Sequence, residues 1–198
     1  MGKQWLEKLA DEVEEEYGQE VSERIFGDIS QSGGNHESVS KWFQNFTSGM
    51  EEMDNKDFFT NMLAKNCPCR NSPASKDIKN LYKDSKSLEE FVTRLEKSGW
   101  WGDKIELRGN VLYTTKYPWS NYGKHNHKGR YSESCHCGLG SHAEEPVSDI
   151  FCHCCTVGYY GNIFKKVFGI DVKVEFIDSI IIGGTECKAA IYLPEKHT

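Results

Sequence analysis

The chain has 198 residues and a formal charge of −6, because 24 Lys and Arg residues stand against 30 Asp and Glu residues. This acidic balance argues against unassisted nucleic-acid binding, which needs a basic face. Hydrophobic residues make up 37% and aromatic residues 12%, too apolar a composition for a disordered chain. Because no apolar run approaches the ~20 residues that cross a bilayer and the N-terminus lacks a signal-peptide core, we expect a folded, cytoplasmic protein without membrane contact.

The first half of the sequence has the hydrophobic periodicity of helices. Residues 3–26 place apolar side chains at helical spacing opposite an acidic block, which predicts one amphipathic helix. Asp54 or Asn55 has the side chain of a helix N-cap, and Pro68 ends the helix that follows. Residues 1–99 are therefore predicted to be a helical region, with helices over 3–26, 39–50, 55–66, 75–82 and 87–95.

The second half, residues 100–198, changes to strand patterns. Residues 104–117 alternate around a Gly109-Asn110 turn and predict a hairpin, and residues 157–168 predict a helix. A last hairpin is predicted to pair 172–182 with 187–193, and alternation places Cys187 on the core face of its second strand. The fold class is therefore α+β: a helical N-terminal half followed by an antiparallel sheet with a packed helix, in one compact unit.

Seven of the eight cysteines fall in three short motifs: Cys67-Pro68-Cys69, Cys135-His136-Cys137 and Cys152-His153-Cys154-Cys155. Without a secretion signal, clustered cysteines more often bind metal or do redox chemistry than form disulfides. Fourteen residues separate Cys137 from Cys152, close to the linker length of familiar zinc modules. We predict zinc as the metal, with copper(I) or an iron–sulfur cluster as alternatives. The predicted ligands are Cys67, Cys69, Cys135, Cys137, Cys152 and Cys154.

The Cys152-x-x-Cys155 spacing also permits an enzyme that uses a thiolate. A helix start near these cysteines would lower their thiol pKa through the helix dipole. Cys152 or Cys155 would then be the nucleophile, and His136 or His153 the general base within hydrogen-bond reach. A third hypothesis is an interaction protein in which zinc only stabilises the loop predicted over residues 118–146.

Four further residues are candidates for a small-molecule site. Tyr113 and Trp119 belong to an aromatic group around the first hairpin, which either packs in the core or lines an apolar pocket. Gly158 and Gly161 each cost a helix roughly 1 kcal/mol relative to Ala. Something therefore approaches that helix closely: a ligand, the sheet or another helix.

The C-terminal stretch resembles a known family. A cysteine-led, glycine-containing helix over 152–161, a strand that carries Glu175, and a hairpin that returns through Cys187 are similar to the closing pattern of the 4-vinyl reductase domain. The resemblance implies an α/β sandwich, a homodimer, a small-molecule pocket and sometimes a cysteine-held zinc, in ligand sensors or accessories of tetrapyrrole synthesis. Asp178 and Ser179 stand where that family has a further cysteine. The same stretch is also similar to thiazoline carboxylate hydrolase-like proteins, which implies a hydrolytic role.

Overall fold

The computed structural model describes residues 3–68, 72, 74–98, 104–116, 135 and 137–195. Its helices are α1 (Lys3–Tyr17), α2 (Gln19–Phe26), α3 (His36–Glu52), α4 (Lys56–Lys65), α5 (Ala74–Lys83), α6 (Leu88–Lys97) and α7 (Tyr159–Phe168). Its strands are β1 (Lys104–Arg108), β2 (Val111–Lys116), β3 (Val174–Asp178) and β4 (Cys187–Tyr192). None of the helices described here is both long and apolar enough to span a membrane.

The N-terminal half is helical as predicted, with one correction. The single helix predicted over 3–26 is two helices, because the chain turns at Gly18, where φ is +87° and the left-handed region favours glycine. The cap of α4 is Asn55, whose side chain accepts a hydrogen bond from the backbone N–H of Phe58. Asp54 instead takes a positive φ of 50° just before the cap.

The four strands form one antiparallel sheet in the order β1-β2-β4-β3. The β2–β4 register pairs Lys116 with Cys187 and Thr114 with Ala189, so these side chains share one face. That face is covered by α7, whose Tyr160 and Phe164 are fully buried. The α+β class and the buried position of Cys187 are thus confirmed. The predicted strand 172–182 ends early at Asp178, and a 3₁₀ turn over Ile180–Ile182 follows it.

The buried side chains form two clusters. One consists of α1 to α4 and the segment that carries Cys135, Cys137, Cys152 and Cys154. The other joins α5, α6 and α7 to the sheet, and Tyr159 packs against both. Most of the described cysteines therefore lie in the helical cluster, on the side that faces the sheet.

The helix predicted over 157–168 begins differently from the prediction. A π-helical turn over Cys154–Gly158 precedes α7, and such turns are rare and frequent at functional sites. A Cβ atom on Gly158 would lie 2.6 Å from the carbonyl oxygen of Ala64 and 2.9 Å from the Cβ of Cys67. The close neighbour of Gly158 is therefore the C-terminal end of α4.

This packing gives a matched pair of substitutions. Gly158→Ala forces α4 away from the π-helical turn and should lower the free energy of unfolding by about 1–3 kcal/mol. Gly161→Ala is the control, because its Cβ would meet nothing within 4 Å and should add about 1 kcal/mol through helix propensity. Urea unfolding of both variants measures the difference. A Gly158→Ala variant as stable as the wild type would contradict the close approach.

Candidate functional site

Five cysteines from three separate segments lie near one another at one end of the sheet; we call Cys135, Cys137, Cys152, Cys155 and Cys187 the thiol cluster. Cys135 and Cys137 come from the loop before a 3₁₀ turn at Gly140–His142. Cys152 and Cys155 come from the turns that lead into α7, and Cys187 begins β4. Besides burial and hydrogen bonding, a negative charge on Cys137, Cys152 or Cys187 raises the pKa of other members.

A chain of hydrogen bonds runs through the thiol cluster. The Cys152 thiol donates to the Ser179 hydroxyl oxygen at 3.1 Å, and that oxygen lies 3.7 Å from the Cys187 sulfur. Cys187 in turn bonds to the side chain of Cys135. The backbone N–H of Cys137 donates to the Cys135 sulfur at 3.4 Å. Three sulfurs, one hydroxyl group and the backbone N–H of Cys137 therefore belong to one connected network.

Tight local packing fixes this network. Asp178 accepts hydrogen bonds from the backbone N–H groups of Ser179, at 2.8 Å, and Thr185, at 3.3 Å, which closes the turn between β3 and β4. A Cβ on Gly140 would stand 3.1 Å from the Cys135 sulfur and 3.4 Å from the side chain of Ile181. Any residue larger than glycine at position 140 would therefore press on Cys135.

The thiols are held in the protonated form. The hydrogen bond to Cys187, together with burial, raises the pKa of Cys135 well above its usual value. Burial also raises the pKa of Cys152, although the hydrogen bond to Ser179 opposes this. Burial raises the pKa of Cys155 as well. The predicted lowering of these pKa values by a helix dipole is wrong for Cys152 and Cys155, because loss of hydration outweighs the dipole.

Lys116 is a buried cation beside the thiol cluster. Its side chain is only 5% exposed, and its Nζ atom lies 4.3 Å from the ring centroid of Tyr159 and 4.6 Å from that of Tyr160. These distances are those of a cation–π interaction, which partly replaces the lost hydration. The positive charge of Lys116 favours the thiolate form of Cys155 and so opposes the rise in its pKa.

One of the predicted metal ligands lies outside the described residues. Cys67 packs beside Gly158 at the end of α4, and Cys154 is buried in the same helical cluster as Cys135, Cys137 and Cys152. Cys69 is not among the residues that the structure describes. The structure brings Cys135, Cys137 and Cys152 together and adds Cys187, which the sequence analysis assigned only to the core.

Sequence reasoning missed three members of this region. Cys187 and Lys116 share the inner face of the sheet, and strand alternation alone could have placed them there. Ser179 had no sequence signal, since its role depends on the turn that Asp178 closes.

His153 does not lie against a thiol as a general base would. Its Nε2 atom stands 4.0 Å from a carboxylate oxygen of Asp149, and its ring stacks on Phe176 with centroids 5.4 Å apart. Burial lowers the pKa of His153. His136, the other predicted base, lies outside the described residues.

The predicted ligand-binding residues do not meet at one place. Tyr113 lies on the opposite face of the sheet from Lys116, where the Arg108 guanidinium stands 5.1 Å from its ring centroid. Trp119 lies outside the described residues. The space over Gly158 is filled by α4, whereas a Cβ on Gly161 would have no neighbour within 4 Å.

Within the ranges described, no group of three or more His, Cys, Asp or Glu side chains is placed so that it could hold a metal ion. None of the seven described cysteines forms a disulfide with another of them.

Comparison with known protein families relates the C-terminal part of the chain to one of them. A family of unknown function, DUF6144, matches residues 123–198, a stretch that holds the whole thiol cluster and leaves out Cys67 and Cys69. No curated protein and no solved structure matched the chain. The resemblance to 4-vinyl reductase domains and to thiazoline carboxylate hydrolase-like proteins is wrong, since the stretch that carried it matches this other family. The short glycine and cysteine patterns that suggested it were too brief to identify a family.

The protonated state predicts slow chemistry at Cys152. Each unit by which a thiol pKa rises lowers the thiolate fraction at neutral pH by about tenfold, and only the thiolate reacts with iodoacetamide. Iodoacetamide should therefore modify Cys152 at least about tenfold more slowly in the native protein than in urea. Mass spectrometry of peptides after timed alkylation gives the rates. Rapid modification of Cys152 in the native protein would instead support the nucleophile hypothesis.

Proposed function

We propose that the protein binds one thiophilic metal ion, zinc in the first instance, through Cys135, Cys137, Cys152 and Cys187. The observation that supports this is one hydrogen-bonded network of three buried thiols from three separate segments, those of Cys135, Cys152 and Cys187, which Cys137 joins through its backbone N–H. Zinc takes four ligands in a tetrahedron and prefers thiolates among protein donors. In this ligand set Cys187 takes the place of Cys67, Cys69 and Cys154 of the sequence-based set.

The electrostatics of the thiol cluster favour such an ion. Like-charge repulsion and loss of hydration keep the thiols protonated, and a bound dication removes both penalties because thiolates are then paired with positive charge. Metal binding must displace the protons and the hydrogen bonds through Ser179. Because no described group could hold a metal ion as it stands, the sulfurs must also shift to form a coordination sphere.

Lys116 supports the proposal as a neighbouring charge. Four thiolates around a zinc ion carry a net negative charge, which is costly in a buried place unless a cation lies near. The ammonium group of Lys116, held on Tyr159 and Tyr160, is such a cation. It would offset part of that charge without being a ligand.

The bound ion would act as a structural or sensor centre. Through its ligands it would link β4 to the loop of Cys135 and to the turns before α7. Binding or release of the ion would therefore change how firmly these C-terminal segments are fixed to one another. A reducing, cytoplasmic setting suits this role, since oxidation would remove the ligands. The small-molecule ligand and the homodimer stay predictions.

Metal content and single substitutions test the proposal. We expect about one zinc per chain in anaerobically purified protein by elemental analysis, and its loss in Cys135→Ser and Cys187→Ser. Cys67→Ser is the matched control, a buried cysteine beside Gly158 that should keep the metal. Absence of zinc and iron from the wild type, even after incubation with zinc, would overturn the proposal. Loss of metal in Cys67→Ser but not in Cys187→Ser would restore the sequence-based ligand set.

Removal of the metal should also lower stability. A ligand present at about a hundred times its dissociation constant stabilises the native state by about 2.7 kcal/mol, or about 5–10 °C in Tm for a chain of this length. Thermal unfolding with and without a chelator measures this shift. The Cys187→Ser variant should show no change with chelator, and an equal shift in wild type and variant would contradict the assigned ligands.

A further inference from the structure

A second group of metal-binding side chains lies away from the thiol cluster. His36 is the first residue of α3, and His142 ends the 3₁₀ turn after Cys137. Their Nδ1 atoms face each other at 3.0 Å, and their rings stack with centroids 5.2 Å apart. Glu144 completes the group, because one of its carboxylate oxygens lies 2.7 Å from the Nε2 atom of His36. We call His36, His142 and Glu144 the histidine pair and its carboxylate.

The donor at each ring nitrogen depends on the tautomer. When His36 is neutral and its Nε2–H donates to Glu144, its Nδ1 lone pair faces His142 and accepts from the Nδ1–H of that ring. For both Nδ1 atoms to bind a metal, His142 must carry its proton on Nε2 instead.

This arrangement matches the environment of metal-binding histidines. A ligating histidine usually donates its other ring N–H to a carboxylate, which fixes the tautomer and the ring orientation. His36 and Glu144 already have this relation. Two nitrogens that bind one zinc ion with tetrahedral geometry stand ~3.3 Å apart. The two Nδ1 atoms, now 3.0 Å apart, therefore need to separate only slightly to bind the ion.

The surroundings leave room for the remaining ligands. His36 and Glu144 line an open groove of about 540 Å³ on the α3 side, together with Glu37, Glu145 and Lys41. Imidazole nitrogens together with carboxylate or water oxygens suit zinc, nickel and copper(II) rather than magnesium or calcium. Waters or these carboxylates would fill the positions that the two histidines leave.

We propose that His36 and His142 form a second, exchangeable site for a borderline transition-metal ion such as zinc, with Glu144 orienting His36 from outside the coordination sphere. This site is independent of the thiol cluster, since it uses other side chains and opens to a groove. A metal ion there would link the start of α3 to the loop that carries Cys135 and Cys137.

Residue-resolved labelling with diethyl pyrocarbonate tests this proposal in the full-length protein. Zinc at ten times the dissociation constant should slow modification of both His36 and His142 about elevenfold, because only the unbound protein reacts. His36→Ala should abolish the zinc-dependent protection of His142. Gln44→Ala is the control. Gln44 lines the same groove but is not a proposed metal ligand, so zinc should still protect both histidines fully in this variant.

The carboxylate has its own expected effect. Glu144→Ala should weaken zinc binding at this site by about ten- to a hundredfold, as removal of such orienting groups does elsewhere. Circular dichroism of each variant checks that it is folded. No protection of either histidine in the wild type, or protection of His142 that persists in His36→Ala, would overturn the proposal whatever the state of the thiol cluster.

Discussion

The contact between α4 and the π-helical turn Cys154–Gly158 is the constraint on which the rest of the structure depends. Only a glycine at position 158 allows the backbone of Ala64 to approach so closely. This contact joins the helical N-terminal half to the segment that leads into α7, and α7 in turn covers the sheet. The positions of Cys152 and Cys155 follow from it, because both lie in the turns that α4 holds in place.

Burial explains both the chemistry and the state of the thiol cluster. A buried thiolate is costly because it has lost its hydration. The thiols of the cluster therefore keep their protons, and Cys152 and Cys187 bond to Ser179. A cluster of this kind is poorly suited to nucleophilic attack, because its thiols keep their protons. Lys116 brings a positive charge beside it and opposes the rise in the pKa of Cys155.

Much of the fold could be predicted from the sequence, because periodicity and capping are local. The helices of the first half and both hairpins appear where their patterns place them, and Ser87 caps α6 with Glu90 returning to the backbone of Lys86. The break at Gly18 was missed because both halves of the 3–26 pattern continue in phase. A local pattern does not show such a change of direction.

The candidate site was less predictable, because its partners meet only through tertiary structure. Spacing favoured cysteines that are neighbours in sequence, and so it placed Cys154 with Cys152 and left Cys187 in the core. Burial reversed the expected pKa shift of Cys152, an effect that no motif contains. His36 and His142 lie more than a hundred residues apart, and no spacing rule relates them.

Because Lys116 is buried, salt screens its charge less than it screens charges at the protein surface. An exposed pair such as Lys56 and Asp149, 2.7 Å apart, weakens as dissolved salt screens it over the Debye length. The ammonium group of Lys116 belongs to a side chain that is only 5% exposed and lies over the rings of Tyr159 and Tyr160. Salt screens buried charges much less than exposed ones, so the effect of Lys116 on Cys155 changes little between dilute and concentrated salt.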